Sequence, residues 1–564
     1  MKIHLPKELR GVVFTRVLVI EMNDFDIDIF LPAFFFTILA KGKGKARITN
    51  DPKDIERYIQ QLASHPDMQG FDSSEGYRVL ERLVRTSLVI TGKAGEGGKK
   101  GEQIISLVPY TILTHKTGLP ASQRQRRADI FVYQALRDYL GGDNALRDAA
   151  KQVFGRGIEI GQEPELGGHY DGETQLDILT RLSIAFIDGF NNTRPQLNRE
   201  KKLPNAFPTM VNELAKDLLR YLFEFHNHMP TQAFIYNLQA IIDFELFIYT
   251  LHVVHAINAL VQNPTTLPPA MHDELQPSTL QVYLDFTNGE TPRSREMAKS
   301  CVRRDVEAYQ QFLWSNLLLR QLDAIVSKLQ KNSRRKAEIE KVLAADSAGA
   351  DYLQGLLLLR DDIKINQDIE ASARTDEERI LNENIDNEAE DEEKDLIEQA
   401  LNAIADTGES DLERVINLLA EAQRTDATAH FIQWFYGAGG IRKPHGILRG
   451  STRHRQSWSY APENDLLAPL VQVVAARLSQ PGQLRTIKLQ EFLDFLKDHY
   501  GILIDTPPAS FEGAEYAAAA RENLRAMLKR LRQMGIFTDL SDDFTVQRLH
   551  PPYAGTEQWK VEAY

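Results

Sequence analysis

From Ala233 to Val261 the chain is built largely of Phe, Ile, Leu, Tyr, Val and Ala, and an apolar stretch of that length has to be covered by lipid or by other helices. Asn237, Gln239, Asp243, Glu245, His252 and His255 interrupt it. Ionisable groups at that density are costly in hydrocarbon but can be paired inside protein, so the stretch reads as the buried helix of a bundle and no membrane association is expected. Cover for it recurs on both sides. Gln125-Arg126-Arg127 opens a helix carrying Ile130, Tyr133, Leu136 and Leu140, ended by Gly141-Gly142. A loop-rich insert, Gly155 to Gly172, precedes a helix from Leu176 to Phe190, and Met210 to Phe225 is a longer one. Leu313, Leu317, Leu318, Leu322 and Ile325 favour helix pairing within Arg293 to Val342, and Tyr352 to Ile365 is leucine-rich. These segments define a helical bundle domain over residues 121–370.

Both ends carry a different order. Tyr516, Ala520, Leu524, Met527, Leu528, Leu531 and Met534 form one apolar stripe, with Gly535 placed to end the helix in a left-handed cap. Arg525, Lys529 and Arg532 lie on the opposite face. Residues 536–540 and 544–549 read as two short strands joined at Ser541-Asp542-Asp543, and a shorter helix with Leu489, Phe492, Leu493 and Leu496 precedes them, followed by Ile502-Leu503-Ile504. Helix, connector, basic helix and two-stranded wing is the order of a winged helix, which places its second helix in a DNA major groove. At the N-terminus Val12 to Glu21 suggests a strand and Phe30 to Ala40 an apolar helix. Two further helices, the second capped by Ser73 or Ser74, lead to strands at 88–90 and 103–108. The expected fold is therefore mainly α, a helical bundle flanked by winged-helix-like α+β domains at residues 1–120 and 411–564.

The glycine-rich tip between the N-terminal strands, GKAGEGGKKG, does not fit a phosphate-binding P-loop: Lys93 stands where the first glycine belongs, Lys100 where a Ser or Thr belongs, and a strand follows instead of a helix. Lys99 and Lys100 remain candidates for touching a phosphate backbone, against the alternative of a solvated tip. Between Thr375 and Asp395 ten carboxylates and no aromatic residue read as an acidic linker or a frayed helix extending between domains, assigned to residues 371–410. Beyond it, Arg442, Lys443, Arg449, Arg453 and Arg455 mix with glycines and with Trp434, Tyr436, Trp458 and Tyr460. In a chain of formal net charge −13 this is the densest basic patch, so nucleic-acid binding has to come from local sites. The aromatics either stack on bases or support the loop. The Arg303-Arg304 and Arg334-Arg335-Lys336 runs read as solvated faces.

Catalytic and metal motifs are not evident. A single cysteine, Cys301, excludes a cysteine-based zinc cluster and suits a reducing, cytoplasmic setting. His252 and His255 stand one turn apart, close enough to ligate a metal but more ordinary as core histidines. His226 and His228 lack the surrounding elements of a ββα-metal nuclease, and His169 has no spaced partner. Lys2 and Arg10 precede an apolar segment that is broken by charge and lacks a small-residue cleavage site, so no signal peptide is expected. No metal or cofactor is assigned.

The module from Gly450-Ser451-Thr452-Arg453-His454-Arg455 through Trp458-Ser459-Tyr460, Asp465-Leu466-Leu467 and the terminal helix-and-wing pattern resembles that of large accessory proteins of bacterial anti-phage operons, of the phosphorothioation-dependent or methylation-associated restriction type. The resemblance covers about a quarter of the chain and brings no catalytic residue with it. In architecture alone the chain also resembles kleisin-type subunits that bridge chromosome-organising ATPases. The expectation is a non-enzymatic subunit that binds double-stranded DNA and docks on a partner ATPase or nuclease. A structural bridge and a nuclease with a dispersed site are the alternatives.

Overall fold

Thr231–Gln262 forms one helix of 32 residues, and 94% of its most apolar window is buried inside the protein. The computed structural model describes residues 3–45, 55–66, 68–93, 102–118, 124–160, 168–190, 196–199, 205–385, 391–538 and 547–554. Among the described residues most are helical and few lie in strands, as the mainly helical expectation requires. The core helix is covered by Pro208–Phe225, by the long helix Pro292–Leu329, by Asp411–Ala438 and by Asn464–Leu478. Thr250 anchors two of the rings packed on it. Thr250 accepts from Tyr309 Oη at 3.1 Å and from Trp434 Nε1 at 3.0 Å, which lets a Trp and a Tyr bury completely without orphaned polar atoms.

A charged cluster joins this core to the C-terminal part. Asp217, wholly buried on Pro208–Phe225, is paired with Arg477 and lies 2.9 Å from both His499 Nε2 and Tyr500 Oη. Arg477 also pairs with Glu213. Burial opposes ionisation of Asp217, but His499, Arg477 and Tyr500 outweigh it and hold the carboxyl below its usual range. Tyr500 Oη is 2.7 Å from Glu245 Oε1, and burial beside the Asp217 charge pushes Glu245 well up. One hydroxyl hydrogen cannot serve two carboxylates, and a protonated Glu245 supplies the second proton that this arrangement needs.

As far as Ile385 the acidic stretch is helical and packed, not extended. Ile363–Ile385 is one helix whose Ile365, Ile369, Ala373 and Ile380 turn inward, and it packs on the long helix and on Asp411–Ala438. Its inward carboxylates are tied as well: Asp376 accepts from Gln321 Nε2 at 2.7 Å, and Arg414 grips Glu377 through Nε and Nη2 at 3.0 and 2.8 Å. Asn384 closes a pair of hydrogen bonds with the His4 backbone at 2.7 and 2.8 Å. Asp391–Ala405 is a further helix, with Leu401 and Ala405 buried. Four inward residues at helical spacing outweigh the local charge density. Asp411–Ala438, which lies beyond the boundary expected at 410/411, packs on the long helix. We expect limited proteolysis with a broad-specificity protease to spare residues 371–385 in its first cuts; initial cleavage there, read by mass spectrometry, would contradict this packing.

At the N-terminus the strand expected over Val12 to Glu21 does not form. Phe14, Val17, Leu18 and Ile20 are buried against helices, and backbone carbonyls find side chains instead of a strand partner: Asn316 Nδ2 donates to Val12 O at 2.7 Å and Arg320 Nη2 to Glu8 O at 3.1 Å. Phe30–Leu39 is helical as expected, and Ile55–Ala63 and Ser74–Leu83 precede an antiparallel pair, Val89–Lys93 with Glu102–Leu107. Ser73 is the cap, accepting from Gly76 N at 3.0 Å. Lys99 and Lys100 lie outside the described residues.

Candidate nucleic-acid interface

The C-terminal elements run Ile487–Lys488 (strand), Leu489–Phe495 (helix, continuing as a wider turn to Tyr500), Ile502–Leu503 (strand), Ala514–Gln533 (helix), Phe537–Thr538 and Arg548–Leu549 (strands). The first and last two strands form a three-stranded antiparallel sheet with Arg548–Leu549 in the middle. Gly535 at φ 71° makes the expected left-handed turn after the helix, while the expected turn at Ser541 to Asp543 lies outside the described residues. One pairing has no counterpart in the sequence pattern. Ile502–Leu503 aligns parallel with Val282–Tyr283 from the middle of the chain, so the bundle supplies a strand to this module.

The same segment locks one face of Ala514–Gln533. Buried Asn523 donates to Leu284 O at 2.7 Å and to Ile504 O at 2.9 Å, and accepts from Phe286 N at 2.6 Å. Arg530 donates to Pro462 O at 2.9 Å, Phe286 O at 2.8 Å and Asn288 Oδ1 at 2.6 Å, and its burial lowers its pKa. With Ala520, Asn523, Leu524, Met527 and Leu531 turned inward, Arg521, Arg525, Lys529 and Arg532 are left exposed. Among the described residues no carboxylate pairs with Arg521, Arg525 or Lys529. Arg532 stands over the Phe537 ring at 5.6 Å. Arg521 was not singled out from the sequence, although its spacing of four from Arg525 was the available signal. The acids nearer the start of this helix are occupied: Glu515 by Arg293 at 3.1 Å and Glu522 by Thr291 at 3.1 Å.

The basic aromatic segment divides into two groups. Leu448–Ser451 and His454–Tyr460 form an antiparallel hairpin whose Trp458 and Tyr460 are buried, Trp458 stacking on Phe435 at 5.9 Å and Tyr460 Oη donating to Asp305 Oδ2 at 2.8 Å. Trp434 is buried too, so these rings hold the loop and do not stack on bases. Lys443 is half-buried between Asp26 and Asp28, whose charges raise its pKa against the burial that lowers it. Arg449 donates to Lys443 O at 3.0 Å and Pro444 O at 2.6 Å and faces Glu463 at 3.6 Å. These two cations brace the loop. Arg442, which donates to Thr452 Oγ1 at 3.3 Å, and Arg453 and Arg455 are exposed to solvent.

The histidines do not assemble a site. His252 lies 3.3 Å from Ser278 Oγ, whereas His255 Nε2 lies 2.9 Å from Asp305 Oδ1, and no group of three metal-capable side chains occurs among the described residues. His226 Nδ1 lies 3.0 Å from Leu222 O, and the exposed His169 is 3.1 Å from Glu159. Burial takes His252 down to about 3. In the unfolded chain it takes up a proton near 6.5. Between those values the unfolded state binds more protons, so stability falls as pH drops below about 6.5. We expect His252→Gln to remove about 2 kcal/mol of the parent's stability loss between pH 7 and pH 5, measured by urea unfolding; identical pH slopes would contradict the buried neutral ring.

No curated protein and no solved structure matches the chain. The family model of methylation-associated defense system protein MAD7 matches residues 7–553, from the first helical turn to beyond the last described strand. Of the two resemblances drawn from the sequence, the one to methylation-associated defence operons is therefore shown, and the chain belongs to the family of methylation-associated defense system protein MAD7.

Proposed function

We propose that this protein is the DNA-positioning subunit of its defence system, a cytoplasmic protein without bond-breaking chemistry of its own that presents duplex DNA to a separate ATPase or nuclease. The observation that carries the reading is the exposed row Arg521, Arg525, Lys529 and Arg532, on a helix whose other face is held by Asn523 and Arg530. A helix fixed in this way presents its cations to phosphates at little conformational cost. Arg442, Arg453 and Arg455 add to the same polyanion affinity. Membership of a defence-system family supports partner components. A second reading, a structural bridge whose C-terminal helix binds an acidic protein, is favoured by the strand that the bundle contributes to the module.

The expected result is duplex binding at about 50 mM salt that weakens steeply by 200 mM, with a log–log slope of several units, since each neutralised phosphate contributes roughly 0.9. A slope near zero, or no binding at low salt, would remove the reading. The purified protein should neither hydrolyse ATP nor cut DNA with magnesium, manganese or zinc present; metal-dependent cleavage by the isolated protein would establish a dispersed nuclease site instead.

A further inference from the structure

The long helix carries a second set of cations. Arg295, Lys299 and Arg303 recur every four residues, so they share a face with a rise of roughly 6 Å between neighbours. They line a groove of about 770 Å³ to which the hairpin contributes Arg455. The Arg303-Arg304 pair separates here: Arg304 turns to Asp305 at 2.7 Å, while Arg303 lines the groove. Glu296, the one carboxylate in the lining, is engaged by Arg293 at 2.8 Å. Among the described residues none of the four groove cations has a carboxylate partner. Four like charges around one cleft repel each other, and an anion in the cleft relieves that repulsion. The long helix begins at Pro292, also in the groove wall, so the positive end of its dipole favours the same sign of ligand.

The groove adjoins the interface already described. Phe511 belongs to its wall and packs on Tyr516 of the C-terminal helix with ring centroids 5.0 Å apart, and Arg293 ties the start of that helix to the start of the long one. We propose that the groove is a second track for the phosphodiester backbone of the same duplex, extending the DNA path from the C-terminal helix onto the bundle. This rests on the DNA-binding reading. Arg295, Lys299, Arg303 and Arg455 make backbone contacts only, so the track adds affinity without sequence preference.

The test is fluorescence anisotropy of a labelled duplex against the full-length protein over a range of salt, with R295E/K299E/R303E, its neutral counterpart R295Q/K299Q/R303Q, and R525E/K529E/R532E in parallel. Circular dichroism and melting temperature report folding. The expected result is that the neutral groove variant binds at least about tenfold more weakly at 150 mM salt and its log–log slope falls by roughly 2.7, three contacts at 0.9 each. If both groove variants keep the parent's affinity and slope while the C-terminal variant loses binding, the groove proposal is overturned and the DNA reading stands. If the C-terminal variant also binds like the parent, or the parent does not bind, both fall.

Discussion

Reversing Arg525, Lys529 and Arg532 to glutamate should weaken duplex binding on the order of a thousandfold at 100 mM salt while leaving the melting temperature within about 2 °C of the parent. All three are exposed. Changes at such positions typically alter stability by no more than about 0.5 kcal/mol. Binding responds differently, because three phosphate contacts are lost and three repulsive charges replace them on a helix that cannot rotate away. Arg530→Ala provides the converse control. Its guanidinium bridges Pro462, Phe286 and Asn288, so its loss should lower the melting temperature first and disturb DNA binding only through the orientation of the helix. Parent-like affinity in the triple variant, read by anisotropy, would show that this helix does not carry the DNA.

Arg477→Met should cost about 3–5 kcal/mol of unfolding free energy, the largest single-residue effect expected. Asp217 is wholly buried and its ionised state depends on His499, Arg477 and Tyr500. Removing the guanidinium leaves the buried carboxylate with His499 and Tyr500 only, one charge short of its compensation, and it also frees Glu213, the other acid it grips. Adding Asp217→Asn to Arg477→Met should recover part of the loss, since the under-compensated charge goes with it. Urea unfolding of the two variants checks this, and a cost below about 1 kcal/mol for Arg477→Met would mean that the cluster does not hold the C-terminal part on the bundle. For the same reason, a deletion of Leu489 to Tyr564 would disturb the bundle as well as remove the C-terminal helix. That deletion would strip His499 and Tyr500 from Asp217 and uncover the helices beneath.

Elements that announce themselves locally are legible in the sequence. The apolar stripe of Ala514–Gln533, the left-handed Gly535 and the Ser73 cap each follow from spacing and backbone preference at one place in the chain. The core helix was legible because its length and its scattered ionisable groups admit few environments. What stayed hidden depends on partners remote in sequence. Ile365, Ile369, Ala373 and Ile380 were masked by the carboxylates among and after them, and only the long helix shows that they face inward. Two-residue strands such as Ile502–Leu503 and Val282–Tyr283 carry no periodicity to detect. Trp458 and Tyr460 suit base stacking or loop support equally well until Phe435 and Asp305 appear beneath them. The groove needed Arg455 to be brought against Arg295, Lys299 and Arg303, a juxtaposition that no local pattern encodes.

The measurement that tests the account most directly is site-specific photocrosslinking from position 529. A photoreactive amino acid replaces Lys529, whose exposed side chain lies on the face assigned to DNA. The protein is irradiated within its complete defence complex in the presence of labelled duplex. The account predicts a covalent adduct with DNA that disappears as salt rises. An adduct with a partner protein and none with DNA would contradict it and establish this helix as a protein-docking element of a structural bridge.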